Sequence, residues 1–300
     1  MGPVVGGFRL GPLARATARG VLDGRATALA AEAAYYLLFS LVPLLLVVMP
    51  LVGLVSDPRQ VFAFAMSQLA LVTPPEALAV VRDVVESVVF APGAPALVSV
   101  GAVTALWSAS GMFDALARGL NAIGQLQETR PWWRRKLTSV GLTLAVGVLA
   151  LGAAVVLLAG PELVRLTTRA LGAGGGARAL WTALQYPLGL VFAAGALWLV
   201  YYVLPNVRTS KRLLLVGAAV GVAVWAAATL GFRLYVQQFG NYNKTYGALG
   251  GVIVLLTWMY VSMLAVLVGG ELNQQLRLGT GSVRPRAVRL YAGPGTVAAE

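Results

Sequence analysis

The sequence predicts an all-α integral membrane protein, built as a helical bundle of about six transmembrane helices plus an amphipathic outer helical hairpin. Of its 300 residues, 58% are hydrophobic and 11% are charged, whereas a soluble domain carries about 25% charged residues. The mean hydropathy is +0.79. Uncharged stretches recur along the whole chain, so we expect one membrane domain over residues 1–278 and a disordered cytoplasmic tail over residues 279–300.

Six uncharged windows are long enough to cross a bilayer. A helix rises about 1.5 Å per residue and the hydrocarbon core is about 30 Å thick, so a span needs about 20 apolar residues. The windows cover approximately residues 33–56, 95–113, 137–160, 179–207, 213–232 and 245–270.

The segment 57–93 between the first two windows has helical signals of its own. Asp57 stands before Pro58, and Thr73 stands before Pro74, as at helix starts. In the second of these helices, valines occupy one half of the helical wheel and charged residues the other half. We therefore expect an amphipathic hairpin that lies on the outer ends of the spans.

The distribution of basic residues predicts the orientation. The chain has 23 Lys and Arg against 11 Asp and Glu, a formal charge of +12. Most of these cations fall on one side of the spans if the N-terminus is inside, which favours cytoplasmic N- and C-termini. Trp132 and Trp133 beside Arg134 resemble an interfacial anchor. Because the orientation accounts for the positive charge, we expect no nucleic-acid partner.

The composition also excludes several kinds of chemistry. The sequence has no cysteine and no histidine, so it lacks thiolate ligands, the usual zinc and iron ligands, and the commonest general base. The glycines within 172–176 predict a flexible connection, because no Gly-Lys-Ser/Thr follows them. We expect no cofactor, no metal and no enzymatic activity.

Tyr36, Ser40 and Pro43 occur within the first predicted span. A proline in a helix leaves the carbonyl four residues back without its partner, and the Ser40 hydroxyl could supply one. Two interpretations remain: a kinked packing helix, or a break that lines a cavity.

Three carboxylates, Glu32, Asp114 and Glu271, flank the inner ends of spans one, two and six. Arg118 follows Asp114 by four residues, the favourable order for an ion pair on a helix. These groups either form interfacial ion pairs or converge at the inner mouth of a cavity.

A dense polar turn separates spans five and six. It could be an interfacial aromatic belt, or it could bind a phosphate head group. Its residues include Arg233, Tyr235, Asn241, Asn243, Lys244 and Tyr246. The GxxxG spacings at 217–221 and 247–251 in the neighbouring spans predict close helix packing.

Five motifs in order resemble those of the YihY/virulence factor BrkB family, over roughly residues 25–276. They are Tyr35-Tyr36 to Ser40 to Pro43, Trp107-Ser108 to Leu120-Asn121, Leu204-Pro205-Asn206-Val207, Tyr246-Gly247 to Trp258, and Gly269-Gly270-Glu271-Leu272-Asn273. The resemblance implies a six-span protein of the bacterial inner membrane whose activity is poorly settled. It also implies associations with serum resistance and the movement of lipid precursors. No catalytic residue comes with it, and the family's older ribonuclease label is not carried over.

Three functions are considered. The first is a transporter-like protein that handles an anionic lipid or lipid-linked substrate. The second is an envelope scaffold that recruits a partner, or a second copy, through the outer hairpin. The third, a membrane hydrolase, would have to use the carboxylates alone. The candidate substrate-binding residues are Glu32, Tyr36, Ser40, Asp114, Arg118, Asn121, Asn206, Arg233, Asn241, Asn243, Lys244, Tyr246, Glu271 and Asn273.

Overall fold

The computed structural model describes residues 4–5, 8–22, 25–52, 57–70, 75–89, 98–171, 176–238 and 248–279. Helices dominate these ranges, as the sequence predicts. They are α1 (Leu10–Leu22), α2 (Arg25–Val52), α3 (Pro58–Leu69), α4 (Pro75–Val84), α5 (Val98–Ile123), α6 (Trp132–Leu171), α7 (Gly176–Val203), α8 (Lys211–Gln238) and α9 (Ala248–Gly279). A π-helical turn, Val85–Val89, follows α4. Two short strands, β1 (Val4–Val5) and β2 (Phe8–Arg9), pair antiparallel before α1.

Within the described residues, the five helices α5 to α9 are long and apolar enough to cross a membrane. The helix α2 is 28 residues long, and among the residues whose side chains the structure describes, its apolar stretch covers Ala26–Leu41. The all-helical membrane fold is therefore confirmed, and the sixth span stays a prediction.

The long helices form a ring in which α2 packs against α5, α5 against α6, α6 against α7, α7 against α8, α8 against α9, and α9 against α2. Small side chains let α2 approach its neighbours closely. Ala30, Ala33 and Ala34 are fully buried there, as is Leu267 of α9. Close backbone approach is the main source of helix association in lipid, where burying apolar surface yields little.

Several helices extend beyond their predicted apolar windows, among them α5 and α9. The helix α5 continues to Ile123 instead of ending near residue 113, and α9 continues to Gly279 instead of ending near residue 270. In α5 the buried apolar face persists through Leu116 and Leu120. The helix therefore continues past the charged residues Asp114 and Arg118. Residues 280–300, predicted as a tail, lie outside the described part of the chain.

Of the two interpretations of the first span, the structure supports the packing helix over the break, because α2 runs as one helix past Pro43 and Pro50 to Val52. The Ser40 hydroxyl donates to the Leu37 carbonyl at 2.8 Å. It does not serve the Phe39 carbonyl, the one that Pro43 frees. A serine hydroxyl reaches the carbonyl three or four residues before it, never the one immediately preceding it on the helix.

The hairpin is present, formed by α3, α4 and the π turn. Asp57 caps α3 as predicted, since its carboxylate accepts a hydrogen bond from the Arg59 amide at 2.9 Å. On the described part of the valine face, Val81 and Val85 are buried, at 9% and 0% exposure, and Val80 and Val84 are partly buried. Through this face α4 packs on α9 and the π turn packs on α2. We call this end of the bundle the hairpin end, and the opposite end, where α1 lies, the α1 end.

The helix α1 is a feature that the hydropathy windows missed. It is amphipathic, with Thr17 and Val21 buried and Arg15 and Arg19 exposed. Its buried face packs on α9 and α2.

Candidate functional site

A ladder of alternating charges links α2, α5 and α6 at the α1 end. Arg118 Nη2 donates to Glu32 Oε1 at 2.5 Å, and Arg118 Nε lies 3.5 Å from Asp114 Oδ2. On the other side of Asp114, Arg135 Nε donates to Oδ1 at 2.6 Å. We call these four residues the ion ladder. The structure thus confirms the predicted Asp114–Arg118 pair and adds one partner from each neighbouring helix.

The ion ladder depends on close packing between α2 and α5. A Cβ added at Gly111 would lie 2.6 Å from Cδ1 of Tyr36, so only glycine leaves room for this ring. Tyr36 is therefore a packing residue one turn beyond Glu32. The ladder side chains retain 19–37% exposure, so solvent or head groups can reach them.

Beside the ion ladder, α6 carries two cations with aromatic partners on the bundle surface. Lys136 Nζ lies 4.0 Å from the centre of the Trp107 ring and donates to the Trp107 carbonyl at 3.3 Å. The Arg134 guanidinium lies 5.0 Å from the Trp133 ring centre. We call Trp107, Trp133, Arg134 and Lys136 the cation patch. Neither cation forms an ion pair with a described residue, and Trp107 is 65% exposed.

A second polar network joins the two loops at the α1 end. Asn121 Nδ2 donates to Glu128 Oε2 at 2.9 Å, and Asn121 Oδ1 accepts from the Asn206 amide at 2.8 Å. The Asn206 side chain donates to the Gln127 carbonyl at 2.8 Å. Arg130 binds both Glu128 and the Leu204 carbonyl, at 2.8 Å and 2.7 Å. We call Asn121, Glu128, Arg130 and Asn206 the loop clamp.

Within the loop clamp, the ionised form of Glu128 is favoured. Partial burial works against the charged carboxylate, but hydrogen bonds and positive charge from Arg130 outweigh it and hold the pKa of Glu128 below its ordinary value. The carboxylate is therefore a fixed acceptor at neutral pH.

The loop carrying Glu128 starts from a helix end with an unusual residue. The Leu126 amide donates to the Asn121 carbonyl at 2.8 Å and the Gln125 amide to the Ala122 carbonyl at 3.1 Å. This is the Schellman arrangement, in which glycine is preferred at the left-handed position. Here Gln125 occupies it with φ of 49°.

Glu271 and Asn273 are buried on α9. Glu271, at 2% exposure, accepts from Gln275 Nε2 at 2.6 Å and lies against Gly20 of α1. Asn273, at 6% exposure, lies against Gly217 of α8, and its amide has no hydrogen-bond partner among the described residues. These two residues do not join the ion ladder. Glu271 contacts α1 and Asn273 contacts α8.

Glycines bring α8 and α9 together at this level. A Cβ on Gly269 would lie 2.7 Å from the Gly217 carbonyl oxygen and 3.1 Å from Gly221 Cα. Tyr201 of α7 packs beside Gly221 and Gly269, and its hydroxyl donates a hydrogen bond to the Val266 carbonyl of α9 at 2.6 Å. The predicted packing role of the 217–221 spacing is confirmed, whereas Gly247 of the second spacing lies outside the described residues.

A small cavity of about 30 Å³ opens between the loops and α9. Its walls include Leu126, Tyr201, Pro205 and Asn273. The volume suits one or two water molecules and is too small for a lipid head group. It therefore belongs to the packing of the α1 end.

Five predicted site residues in and after α8 remain to be placed, of which the structure describes one. Arg233 lies near the far end of α8, toward the hairpin end. Asn241, Asn243, Lys244 and Tyr246 fall outside the described residues, so the predicted binding turn between spans five and six stays a prediction.

Sequence reasoning missed Glu128, Arg130 and the ladder role of Arg135. Arg130 reaches Leu204, 74 positions away, and Arg135 reaches Asp114, 21 positions away. The available signal was the pairing of an acid with a base two residues later, Glu128 and Arg130, in a segment between two spans. That signal indicates a local pair but gives no information on the second loop.

Comparison with known proteins gives a consistent result along the chain. The family model described as virulence factor BrkB matches residues 17–289. The ribonuclease-like protein YfkH of Bacillus subtilis (strain 168) is 32% identical over 249 residues, which cover 82% of this chain and 88% of that protein. The UPF0761 membrane protein of Tolumonas auensis is 30% identical over 264 residues, which cover 86% and 83% of the two chains.

A further relative, the UPF0761 membrane protein of Aeromonas salmonicida, is 28% identical over 253 residues and 82% of each chain. No solved structure matches. Because the family model spans most of the chain, and two relatives share 30% identity or more over most of both lengths, the assignment covers the ladder, the clamp and the spans alike. The chain belongs to the virulence factor BrkB family, the UPF0761 (YihY) group of multi-pass membrane proteins.

Proposed function

We propose that this protein moves an anionic lipid or lipid-linked molecule between the leaflets of the bacterial cytoplasmic membrane. The observation that carries the proposal is the cation patch, which places two cations on exposed aromatic rings at the end of the spans. Lysine and arginine at this depth attract anionic head groups, and tryptophan is favoured at the interface between head groups and hydrocarbon.

The neighbouring charges support an anionic substrate. The ion ladder pairs two carboxylates with two guanidinium groups, so its formal charges sum to zero. Lys136 and Arg134 are left as an excess of positive charge on the surface of α5 and α6. A phosphate held there could next compete with Glu32 for Arg118, whose guanidinium can bind phosphate through two parallel hydrogen bonds.

The proposed role is not enzymatic. Glu32 and Asp114, two of the acids that a hydrolase would need, each bind an arginine. Each of these carboxylates is therefore already held by a guanidinium group between two helices. A hydrolase would lose its turnover when Glu32, Asp114 or Glu271 is replaced singly by the corresponding amide. We expect no hydrolytic turnover in wild type, and so no loss in these variants.

A reconstitution assay tests lipid movement. Liposomes with and without the purified protein would contain a fluorescent phosphatidylglycerol, and an impermeant quencher would report label that reaches the outer leaflet. We expect wild type to move the label faster than empty vesicles, and Lys136→Gln and Arg118→Gln to slow it several-fold. Lys211→Gln is the matched control, because Lys211 also lies over an aromatic ring, that of Tyr202 at 5.9 Å, but away from the ladder. The absence of lipid movement above empty vesicles would overturn the proposal.

The proposal includes an orientation with the α1 end in the cytoplasm. The sequence contains no cysteine, so single introduced cysteines can be labelled without background. An impermeant thiol reagent added to intact spheroplasts should label Ser87→Cys in the hairpin and spare Gln127→Cys in the loop of the α1 end. The reverse pattern would contradict the orientation.

A second candidate function is a scaffold that recruits an envelope partner. The observation in its favour is the exposed charged face of the hairpin, formed by Arg82, Asp83 and Glu86, above a valine face seated on the bundle. A chain lacking residues 57–93 distinguishes the candidates if it still folds. Lipid movement that survives while the cellular role is lost would favour the scaffold.

A further inference from the structure

The hairpin contains a groove that is separate from the cation patch, at the opposite end of the bundle. The groove lies between α3 and α4 and has a volume of about 430 Å³. Phe62, Met66 and Leu78 form an apolar floor, and Arg59, Arg82 and Glu86 form a charged rim. Phe62 and Met66 are each 7% exposed, so the floor is continuous with the packed interior of the hairpin.

Helical periodicity explains why the groove is apolar below and charged above. Leu78, Arg82 and Glu86 recur every four residues and so follow one stripe along α4 and the π turn. On α3, Phe62 and Met66 are also four residues apart, and Arg59 lies one turn before Phe62. The two stripes face each other because the buried valine face of α4 is already occupied by α9.

We propose that this groove binds one anionic amphiphile, with an apolar chain on the floor and a phosphate at Arg82 and Arg59. The rim has two cations against one carboxylate, and Arg82 forms no ion pair with any residue that the structure describes. The volume falls within the range of about 300–1,000 Å³ that is typical of small-molecule sites. A free phosphate would satisfy the rim alone, and a hydrocarbon the floor alone. An anionic phospholipid satisfies both.

Binding in this groove does not require that the protein move lipid, so the inference goes beyond the proposed function and can be tested apart from it. The full chain in nanodiscs would be irradiated with a phosphatidylglycerol carrying a photoactivatable group in its acyl chain. Peptide mass spectrometry would then locate the cross-links. We expect them within Pro58–Leu69 and Pro75–Val84, and expect unlabelled phosphatidylglycerol to compete with them.

Two variants make the experiment specific. Arg82→Gln should reduce the hairpin cross-links by about tenfold, the effect of losing one charge-assisted hydrogen bond. Arg212→Gln removes the same charge at the exposed start of α8 and should leave the yield unchanged. Equal melting temperatures of the two variants would show that Arg82→Gln is folded. Leu78→Gln places a polar side chain in the apolar floor and should lower the cross-link yield independently of the rim.

Three outcomes would overturn the inference. Equal competition by phosphatidylcholine would mean that the groove does not select an anion. Equal competition by inorganic phosphate would mean an anion site without a chain site. An unchanged cross-link yield in folded Arg82→Gln would remove the rim from the binding site. Loss of the cross-links in this variant together with normal lipid movement would support the groove and separate it from transport.

Discussion

Replacing Gly269 by alanine should destabilise the contact between α8 and α9. The added methyl group would lie 2.7 Å from the Gly217 carbonyl oxygen and 3.1 Å from Gly221 Cα, and it would collide with the Tyr201 hydroxyl. The tyrosine could rotate away, but the two contacts on α8 are with backbone atoms. Relief therefore requires the helices to separate.

The expected cost follows from three contributions. Overpacking a tight contact costs about 1–3 kcal/mol, and displacing Tyr201 from the Val266 carbonyl adds about 1 kcal/mol. The higher helix propensity of alanine returns about 1 kcal/mol. The net destabilisation is about 2 kcal/mol, which should lower the apparent melting temperature by a few degrees, measured by circular dichroism in detergent.

The matched control is Gly231→Ala on α8, where an added Cβ has no atom within 4 Å. This variant should melt at the wild-type temperature or slightly above it. If Gly269→Ala melted like Gly231→Ala, the close approach of α8 and α9 would be contradicted, and with it the packing role of the 217–221 spacing.

Three further predictions concern the α1 end. A double-mutant cycle of Glu32→Gln and Arg118→Gln, measured by thermal melting, should give a coupling free energy of about 1 kcal/mol or less, because the pair is partly exposed. A coupling of several kcal/mol would instead indicate an ion pair fully buried from solvent. Gln125→Gly should raise the melting temperature, because glycine adopts the left-handed conformation without the strain of about 1 kcal/mol that glutamine carries there. The control Gln127→Gly should not raise it. A melting temperature of Gln125→Gly below that of wild type would contradict the helix-end geometry. The pKa of Glu128 is lower folded than unfolded, so its stabilisation is complete above about pH 4.3 and is lost as the pH falls through the folded pKa. The protection factor of the loop amides, which corrects for the pH dependence of intrinsic exchange, should accordingly fall on acidification in wild type, and the fall should be smaller in Glu128→Gln. Equal falls would exclude the carboxylate as their cause.

Much of the fold follows from the sequence because bilayer thickness sets the length of an apolar helix. The residues at which the helices end were less predictable. Asp114 and Arg118 end the apolar window of α5, yet they pair with each other on consecutive turns and allow the helix to continue to Ile123. A hydropathy window counts such a pair as two separate unfavourable charges. In the helix the two side chains lie one turn apart, so each charge partly compensates the other.

The helix α1 was missed for a different reason. Its apolar face is only a few residues wide, with Thr17 and Val21 buried between exposed Arg15 and Arg19. Such a helix is too short and too basic for a search directed at spans. A test for amphipathic periodicity in the first 25 residues would have found it.

The candidate site was predictable only where partners are close in sequence. Asp114 and Arg118 were paired from their spacing, but Glu32 lies 86 positions from Arg118 and Asn121 lies 85 positions from Asn206. Such pairings depend on which helices become neighbours in the bundle. The resemblance to a family indicated that Asn121 and Asn206 matter, and the structure provides the physical reason, since both asparagines join two loops.

The contact between Gly20 and Glu271 has a consequence for biosynthesis. A ribosome makes α1 before α9, yet α9 provides most of the surface that receives α1 and is synthesised after all the other described helices. Nascent chains must therefore hold their first helices in the translocon or in lipid without this partner until translation is nearly complete. Chains that stop before residue 248 should be recognised as orphans by membrane quality control, however well their earlier spans have inserted.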